Sequence, residues 1–429
     1  MRECDLAIIG GGASGLAAAY FAAQSDPSRR LRIVLLEATE RVGTKILVSG
    51  GGRCNVAPFQ ASERDYWGTS RPVIRNVLRS FGVTDTLRWL TEIGVEVKLE
   101  EETGKYFPAT DSAATVRNAL VRAVEECGCK ILTRHRVTSL TRVDDWFHLE
   151  FLNRRDRVRA RRVILAAGGK ALPKSGSDGG AYELLKEMGH KIISPVPALV
   201  PLVLARDNTV GGRFHELAGI SVLARISLLS SSGAVQATTE GSVLFTHFGV
   251  SGPAVLDISR HVTHHLEFYR QAAVLTLAFA GFSNAEDADV SLRRLAQEFP
   301  RKTLAGALAT FLPVRLAQLI AGSLAMKRVS QLSRQERTEI AQNLAALPLR
   351  VIGHRGFECA EVTAGGVDLR EVDWRTMESR YQKGLHLCGE ILDVDGRLGG
   401  FNFQWAWSSA YLAGQAAAKL LLSELDNSV

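Results

Sequence analysis

The sequence has no C-x-x-C pair. Its six cysteines (Cys4, Cys54, Cys127, Cys129, Cys359 and Cys388) are scattered, which argues against a disulfide framework, a zinc site and a dithiol redox centre and suits a reducing compartment. No apolar run is long enough to span a bilayer. The apolar stretch from Leu6 to Ala23 contains a glycine triplet and follows no basic segment, so it reads as a strand–helix unit and not as a signal peptide. A cytoplasmic protein is expected. Acidic residues are in modest deficit, 45 against 52 lysines and arginines, for a net charge of +7. Much of the excess lies in Arg154, Arg155, Arg157, Arg159, Arg161 and Arg162, which alternate with apolar residues as on the charged edge of a hairpin. A solvated edge is preferred there over a nucleic-acid surface. At 429 residues the chain is too long for one ordinary core.

What is present begins at the N-terminus. Asp5 to Ile9 is a short β-rich run that ends in Gly10-Gly11-Gly12-Ala13-Ser14-Gly15, and a helical pattern follows from Leu16 to Gln24. A G-x-G-x-x-G placed between strand and helix is the dinucleotide fingerprint. Gly10 permits the turn, Gly12 the approach of a pyrophosphate and Gly15 close helix–strand packing. The helix N-terminus offers free N–H groups and a favourable dipole. A second strand, Leu31 to Leu36, ends in Glu37, whose carboxylate can accept both hydroxyls of an adenosine ribose and would repel a 2′-phosphate.

FAD and NAD share that half-site, and the residues after it separate them. Glu37-Ala38-Thr39-Glu40-Arg41-Val42-Gly43 has the E-x-x-x-R-x-G form and resembles the extended FAD signature of glutathione-reductase-type flavoproteins. Then comes Lys45-Ile46-Leu47-Val48-Ser49-Gly50-Gly51-Gly52-Arg53-Cys54-Asn55, a loop of little bulk and many N–H donors that can lie against a flat ring and phosphates.

This run resembles the bacterial aminoacetone oxidase-like and bile-acid-reductase-like flavoproteins (the BaiN/RdsA type). The resemblance resumes at Thr246-His247-Phe248-Gly249-Val250-Ser251-Gly252-Pro253-Ala254 and Val362-Thr363-Ala364-Gly365-Gly366-Val367. It is strongest in Gly389-Glu390-Ile391-Leu392-Asp393-Val394-Asp395-Gly396 and Gly399-Gly400-Phe401-Asn402-Phe403-Gln404-Trp405-Ala406. It implies a Rossmann-like α/β FAD-binding domain, a parallel sheet with a β-meander, interrupted by an inserted β-barrel and a small helical domain. The corresponding spans are 1–191 and 354–429 for the FAD-binding domain, 192–284 for the barrel and 285–353 for the helical unit. The family's substrates are diverse.

Further contacts are expected along the chain. Lys130 to Leu132 reads as the third parallel strand. Val137–Leu140, Phe147–Leu152 and Arg157–Arg162 form an antiparallel meander, with the backbone of Val137 facing the adenine as in related flavoproteins. The apolar strand Val163-Ile164-Leu165-Ala166 then ends in Ala167-Gly168-Gly169, similar to the A-T-G-G of FAD proteins with alanine in place of threonine, so that only backbone contacts carry over. Gly176-Ser177-Asp178-Gly179-Gly180 also borders the cofactor in this reading.

At the last strand, Leu385 to Cys388, Gly389-Glu390 stands where flavoproteins commonly have Gly-Asp, and Glu390 or Asp393 would bond ribityl hydroxyls; no metal is expected. The helix opened by Gly400, Phe401 and Asn402 points its N-terminus at flavin N1 and O2 in this superfamily, where reduction places negative charge. Lys45, Ser49, Gly51, Gly52, Arg53, Cys54 and Asn55 complete the expected cofactor set, with Cys54 a packed thiol and Trp405 and Trp407 core residues.

In the insert, Leu199–Leu204, Ser221–Leu229, Val243–Phe245 and Val274–Ala280 suit a barrel, and Pro300 to Leu347 has helical spacing. No second G-x-G-x-x-G occurs in it, so any NAD(P)H must dock transiently. His247, Tyr106, His354, Arg355 and Arg53 are candidate proton donors for a cleft between cofactor domain and insert, and none is singled out as catalytic.

The expectation is an FAD-dependent oxidoreductase that passes hydride between flavin N5 and a small-molecule substrate, for instance NAD(P)H-driven reduction of an activated C=C bond. An amine oxidase using O₂, a flavin-containing nucleic-acid-binding or modifying protein, and a non-catalytic FAD carrier stand as alternatives.

Overall fold

The computed structural model describes residues 2–279 and 281–427. Ala280, the expected end of the run from Val274, lies outside the described residues. The chain forms two compact units, one made of the residues up to Pro197 together with those from Glu361 onward, the other of Ala198 to Ala360.

The first unit is built on a nine-stranded sheet. Its parallel centre runs Leu385–Leu387, Val158–Leu165, Arg2–Ile9, Ile33–Leu36 and Lys130–Leu132. The central strands are continuous apolar runs because both of their faces are covered. Leu6, Ala7 and Ile8 are fully buried, as are Val163, Ile164 and Leu165.

Val137–Val143, Trp146–Phe151 and the start of Val158–Leu165 make the antiparallel meander. The third meander strand and the apolar strand after it are one continuous element. Val158 to Ala160 pair with the meander, and Val163 to Leu165 pair with Leu385–Leu387 along the same edge. A change of neighbour, with no break in the chain, therefore produces the shift from alternating to apolar sequence.

The helix Ala13–Gln24 packs against the long C-terminal helix Phe401–Asp426. Small residues allow the approach: a Cβ on Gly414 would stand 2.5 Å from the Ala18 carbonyl oxygen. Trp405 and Trp407 are buried on the C-terminal helix, with indole N–H groups donating to the carbonyls of Gly389 and Val56. Truncating a tryptophan buried in this way costs about 3–5 kcal/mol. Three helices not anticipated from the sequence (Arg71–Ser80, Val83–Glu92 and Ala113–Glu126) complete this core. Ile192–Ala198, which the sequence reading put in the barrel, instead pairs with Val362–Val367 as a two-stranded sheet.

The second unit holds a closed six-stranded barrel in the order Leu202–Leu204, Gly249–Ser251, Val235–Phe245, Ser221–Leu229, Ala273–Phe279, Leu347–His354. Alternate residues of Ser221–Leu229 and Leu347–His354 point inward, as a barrel wall requires. The closing strand comes from the stretch read as the end of the helical unit. Its proline and alternating pattern follow directly on the helix Arg334–Ala346, which hid the boundary.

The T-H-F-G-V-S-G-P-A run is a wall strand followed by a sharp turn into the helix Pro253–Tyr269, with proline at the helix start. Between the fifth and sixth barrel strands lie four further helices: Ala285–Glu298, Leu304–Leu308, Val314–Ala321 and Arg334–Ala346. Three begin on side-chain caps, Asn284 to Asp287 N–H, Thr303 to Gly306 N–H, and the reciprocal Ser333–Glu336 pair.

Candidate functional site

The C-terminal ends of the parallel strands gather the glycine-rich segments, as expected for a ligand crevice in an α/β sheet. Gly10 and Gly15 are locked together: a Cβ on Gly15 would lie 1.8 Å from the Gly10 carbonyl oxygen. Gly12 caps the helix Ala13–Gln24, with no side chain satisfying its first turn and open space where a Gly12 side chain would be. The N–H groups of Ala13, Ser14 and Gly15 thus sit at an uncapped, positive helix end.

Glu37 is nearly buried and held in a fixed pose. One carboxylate oxygen accepts from Gly11 N–H at 2.8 Å, and the other from Thr39 N–H at 2.7 Å and Thr39 Oγ1 at 2.8 Å. Ala38 lies within this turn. Gly176 faces the same corner, since a Cβ there would stand 3.5 Å from a Glu37 carboxylate oxygen. The next residue, Ser177, has a buried hydroxyl without a hydrogen-bond partner, close to Gly168. A buried orphan hydroxyl beside a glycine turn and an oriented carboxylate calls for a ligand. The Gly176–Gly180 segment therefore borders the Glu37 corner. Val137 opens its strand nearby, next to Arg136, whose guanidinium pairs with Asp178.

At the other side, Gly169 packs against Thr363 and Glu390, leaving no room for a side chain. Thr363 Oγ1 accepts from Lys170 and Ala171 N–H, at 2.7 and 3.0 Å, and its own N–H donates to Glu390 at 2.9 Å. Lys45 donates to the other Glu390 oxygen at 2.6 Å. Glu390 is thus committed to protein partners and is not a free carboxylate. Tyr182, absent from the sequence reading, adds a second buried hydroxyl without a hydrogen-bond partner. Burial, and then the nearby carboxylates of Glu390 and Asp393, push its phenol far above the ordinary range. Its place three residues into a helix that follows the Gly179-Gly180 turn was the available signal.

In the glycine loop, Gly50 and Gly51 adopt left-handed conformations, and nothing lies near Gly51. Ser49 Oγ is spent on the Ile46 carbonyl at 2.7 Å. Arg53 pairs with Asp111 at 2.8 Å and Glu100 at 3.0 Å and lies over the Phe107 ring, so its charge is already used. The Cys54 thiol is fully buried and pushed up to about 12 by that burial, which makes it inert. The Asn55 amide, oriented to satisfy both neighbours, bridges the Ala57 carbonyl and Gly400 N–H. The loop is thereby tied to the start of the C-terminal helix. That helix has no side-chain cap; Asn402 turns its amide back onto Gly396. Beyond the Gly400 N–H that Asn55 satisfies, its first turn has no side-chain cap.

The HI0933-like protein Rossmann domain is matched over residues 4–416. The chain belongs to the HI0933-like family. Over 417 residues, 96% of this chain and 99% of the relative, it is 35% identical to the 3-dehydro-bile acid delta(4,6)-reductase of Clostridium scindens. It is 31% identical to the ribosomal RNA dihydrouridine synthase of Escherichia coli K12, across 97% of this chain and 98% of that one. In fold it is similar to a 3-ketosteroid-delta4-(5alpha)-dehydrogenase from Rhodococcus jostii RHA1, with a TM-score of 0.51, 15% identity and 97% of each chain covered.

The protein is an FAD-dependent oxidoreductase, and the two orphan hydroxyls, the open glycines and the two helix ends without side-chain caps fit that cofactor. Among the described residues no cluster of three metal-ligating side chains occurs, and no helix is long and apolar enough to cross a membrane.

The remaining expected proton donors are dispersed. In the first unit Tyr106 stacks against Phe59. In the second, His354 takes a hydrogen bond from Gly356 N–H and faces Glu267 at 3.7 Å, and Arg355 lies over Phe248. The backbone of His247 accepts from Arg206. These three belong to the barrel rim formed where Leu202–Leu204 meets its two neighbours.

Proposed function

We propose that this protein saturates an activated carbon–carbon double bond, using electrons drawn from a transiently bound NAD(P)H. The observation that carries the reading is the pair of full-length relatives. Their names describe a steroid enone and a uridine, both unsaturated rings conjugated with a carbonyl, and both reduced. When bound, FAD supplies the two-electron chemistry at its isoalloxazine ring.

The chain's own residues supply placement and electrostatics. In this reading the first-turn N–H groups of Ala13, Ser14 and Gly15 hold the pyrophosphate, and Glu37 and Ser177 hold the adenosine ribose. The Gly400–Asn402 helix end stabilises negative charge at the pyrimidine edge of the ring. The Lys45–Glu390–Thr363 lattice keeps the Gly169 strand end and the Gly389 turn in register, and Tyr182 offers its hydroxyl to the ribityl side.

The test is anaerobic. NADPH should bleach the visible flavin band of the purified protein, and an α,β-unsaturated ketone should restore it while its own conjugated absorption disappears. A flavin that NADPH leaves oxidised, or that only air reoxidises whatever enone or pyrimidine is offered, would overturn the proposal. Peroxide formed in step with an amine would point to the oxidase alternative.

A further inference from the structure

The hairpin beside the glycine loop carries a cation that no protein group holds. Its strands are Val97–Glu100 and Lys105–Pro108, and the second also pairs with Ala57–Pro58. The other charges around it are largely spent on one another. Arg53 donates to Asp111 and to one Glu100 oxygen, Thr103 Oγ1 donates to the other Glu100 oxygen at 2.7 Å, and Lys98 donates to the second oxygen of Asp111. Glu101 and Glu102 stand exposed in the turn.

Lys105 is the exception. The register puts it directly opposite Glu100, and an opposite-charge pair across an antiparallel ladder is ordinarily favourable. Its ammonium nonetheless has no hydrogen bond or ion pair among the described residues. The half-buried stem lies along Gly399 instead, where a Cβ would stand 2.9 Å from Lys105 Cε and 3.6 Å from its Cδ and Cγ. Gly399 precedes Gly400, the cap of the long C-terminal helix. The ammonium, one bond beyond Cε, therefore sits beside the entrance to that helix.

The placement is fixed by the backbone. Val56 N–H donates to the Tyr106 carbonyl at 2.9 Å, and Ala57 pairs with Tyr106 in the ladder. Asn55, one residue earlier, holds Gly400 N–H and the Ala57 carbonyl, and a Cβ on Gly400 would stand 2.5 Å from the Ala57 carbonyl carbon. Strand, loop and helix start are thus stitched at consecutive residues, with Lys105 at the edge of the stitch.

We propose that Lys105 holds the negative charge that forms at the pyrimidine edge of FAD when the flavin is reduced. The inference rests on the placement of the Gly400–Asn402 helix end proposed above. Hydride added at N5 brings two electrons and one proton, so the ring is left an anion, its charge shared between N1 and the C2 carbonyl oxygen. The helix end meets that charge with N–H groups and a dipole, and the ammonium adds a full unit charge. In a site poor in water such a charge counts for more than at the surface. The oxidised ring is neutral there, so Lys105 favours the reduced form selectively and raises the midpoint potential.

The experiment uses the FAD-loaded protein, equilibrated anaerobically against a dye of known potential with neither NADPH nor an acceptor present. In Lys105→Gln the affinity for reduced over oxidised FAD should fall by at least about tenfold, which reads as a midpoint lower by about 30 mV or more for a two-electron couple. Affinity for oxidised FAD should stay within about threefold of wild type. Lys105→Arg should restore the midpoint. Lys98→Gln, which removes a charge from the same hairpin, should leave it unchanged. A second readout needs no variant. In wild type reduced with dithionite and carrying isotope-labelled FAD, the N1 resonance should remain that of the anion at the pH where free reduced flavin takes up its proton.

A Lys105→Gln midpoint equal to that of wild type, an equal fall in Lys98→Gln, or a wild-type N1 that protonates as in free flavin would overturn the inference. A lysine that merely supports the fold would weaken both forms of FAD alike, leave the midpoint in place and so count as the first of these. Flavin that resists NADPH would instead sink the reductase reading and leave the potentials standing, because the dye sets them without it.

Discussion

Glu37 can be tested in a way that separates a cofactor contact from a loop strut. Its carboxylate accepts three protein hydrogen bonds, from Gly11 N–H, Thr39 N–H and Thr39 Oγ1, in a nearly buried corner. Glu37→Gln keeps the shape, removes the charge and turns an NH₂ toward at least one of those donors. A buried donor left without its acceptor costs about 1–3 kcal/mol, and a hydrogen bond to a charged acceptor is worth about 1.5–3 kcal/mol. The apoprotein should therefore lose stability. On the ribose contact proposed for this carboxylate, FAD should bind more weakly by a further factor of roughly 10 to 150.

Apoprotein titrated with FAD, followed by the quenching of flavin fluorescence, gives the second quantity, and the apoprotein's thermal midpoint gives the first. A variant that loses apoprotein stability yet binds FAD within about threefold of wild type would refute the ribose assignment and leave Glu37 a strut for the Gly11 and Thr39 turns.

Three further outcomes are expected. Burial lowers the pKa of His386, His261 and His264 to about 4, with Arg162 adding to the effect at His386 and Arg260 at the other two. Their unfolded-state value is about 6.5, so the unfolded chain binds more protons between those limits. The stability they contribute is present above about pH 6.5 and lost as pH falls toward about 4. Thermal midpoints across that range should drop with acid and drop less in His386→Gln; an unchanged acid response would refute the role of His386. Gly15→Ala places a methyl group 1.8 Å from the Gly10 carbonyl oxygen, so the purified variant should lose FAD, and full flavin content would count against the close approach. Short exposure to N-ethylmaleimide, read by peptide mapping, should label exposed Cys359. It should spare Cys4, Cys54, Cys129 and Cys388, whose thiols burial pushes up to about 12.

The sequence was most legible where a single local rule decides the backbone. Gly10, Gly12 and Gly15 between a strand and a helix mark a dinucleotide turn, and the E-x-x-x-R-x-G run and glycine loop that follow narrow the cofactor to FAD. It was less legible where an element's character depends on distant neighbours. Val158–Leu165 reads as two strands because its pairing partner changes halfway along. Leu347–His354 reads as the tail of a helical unit because its barrel neighbours lie far away in sequence. The helix Pro253–Tyr269 was within reach: proline at its start and Val255, Ile258 and Val262 at helical spacing mark it.

In the site, Arg53 and Glu390 look available in sequence, but only tertiary structure reveals the partners that already occupy them. Tyr182 and Ser177 are the reverse, ordinary in sequence and conspicuous once burial leaves their hydroxyls alone. Likewise, four of the arginines most visible in the sequence (Arg154, Arg157, Arg159 and Arg162) are paired with carboxylates in space.

The two units are nested like brackets along the chain, and this sets an order for biosynthesis. The sheet opened by Arg2–Ile9 is completed only by Leu385–Leu387 and the helix beginning at Phe401, and the barrel opened at Leu202 is closed only at His354. A ribosome therefore releases the inner bracket whole before the outer one can shut. Until the final helix emerges, the early glycine turn lacks the small-residue face that packs on its helix and the Gly400 turn that meets its loop. The nascent chain has no finished cradle for FAD, and its long-range pairings make completion slow. The inner unit can thus be complete while the outer one still awaits its last strand and helix.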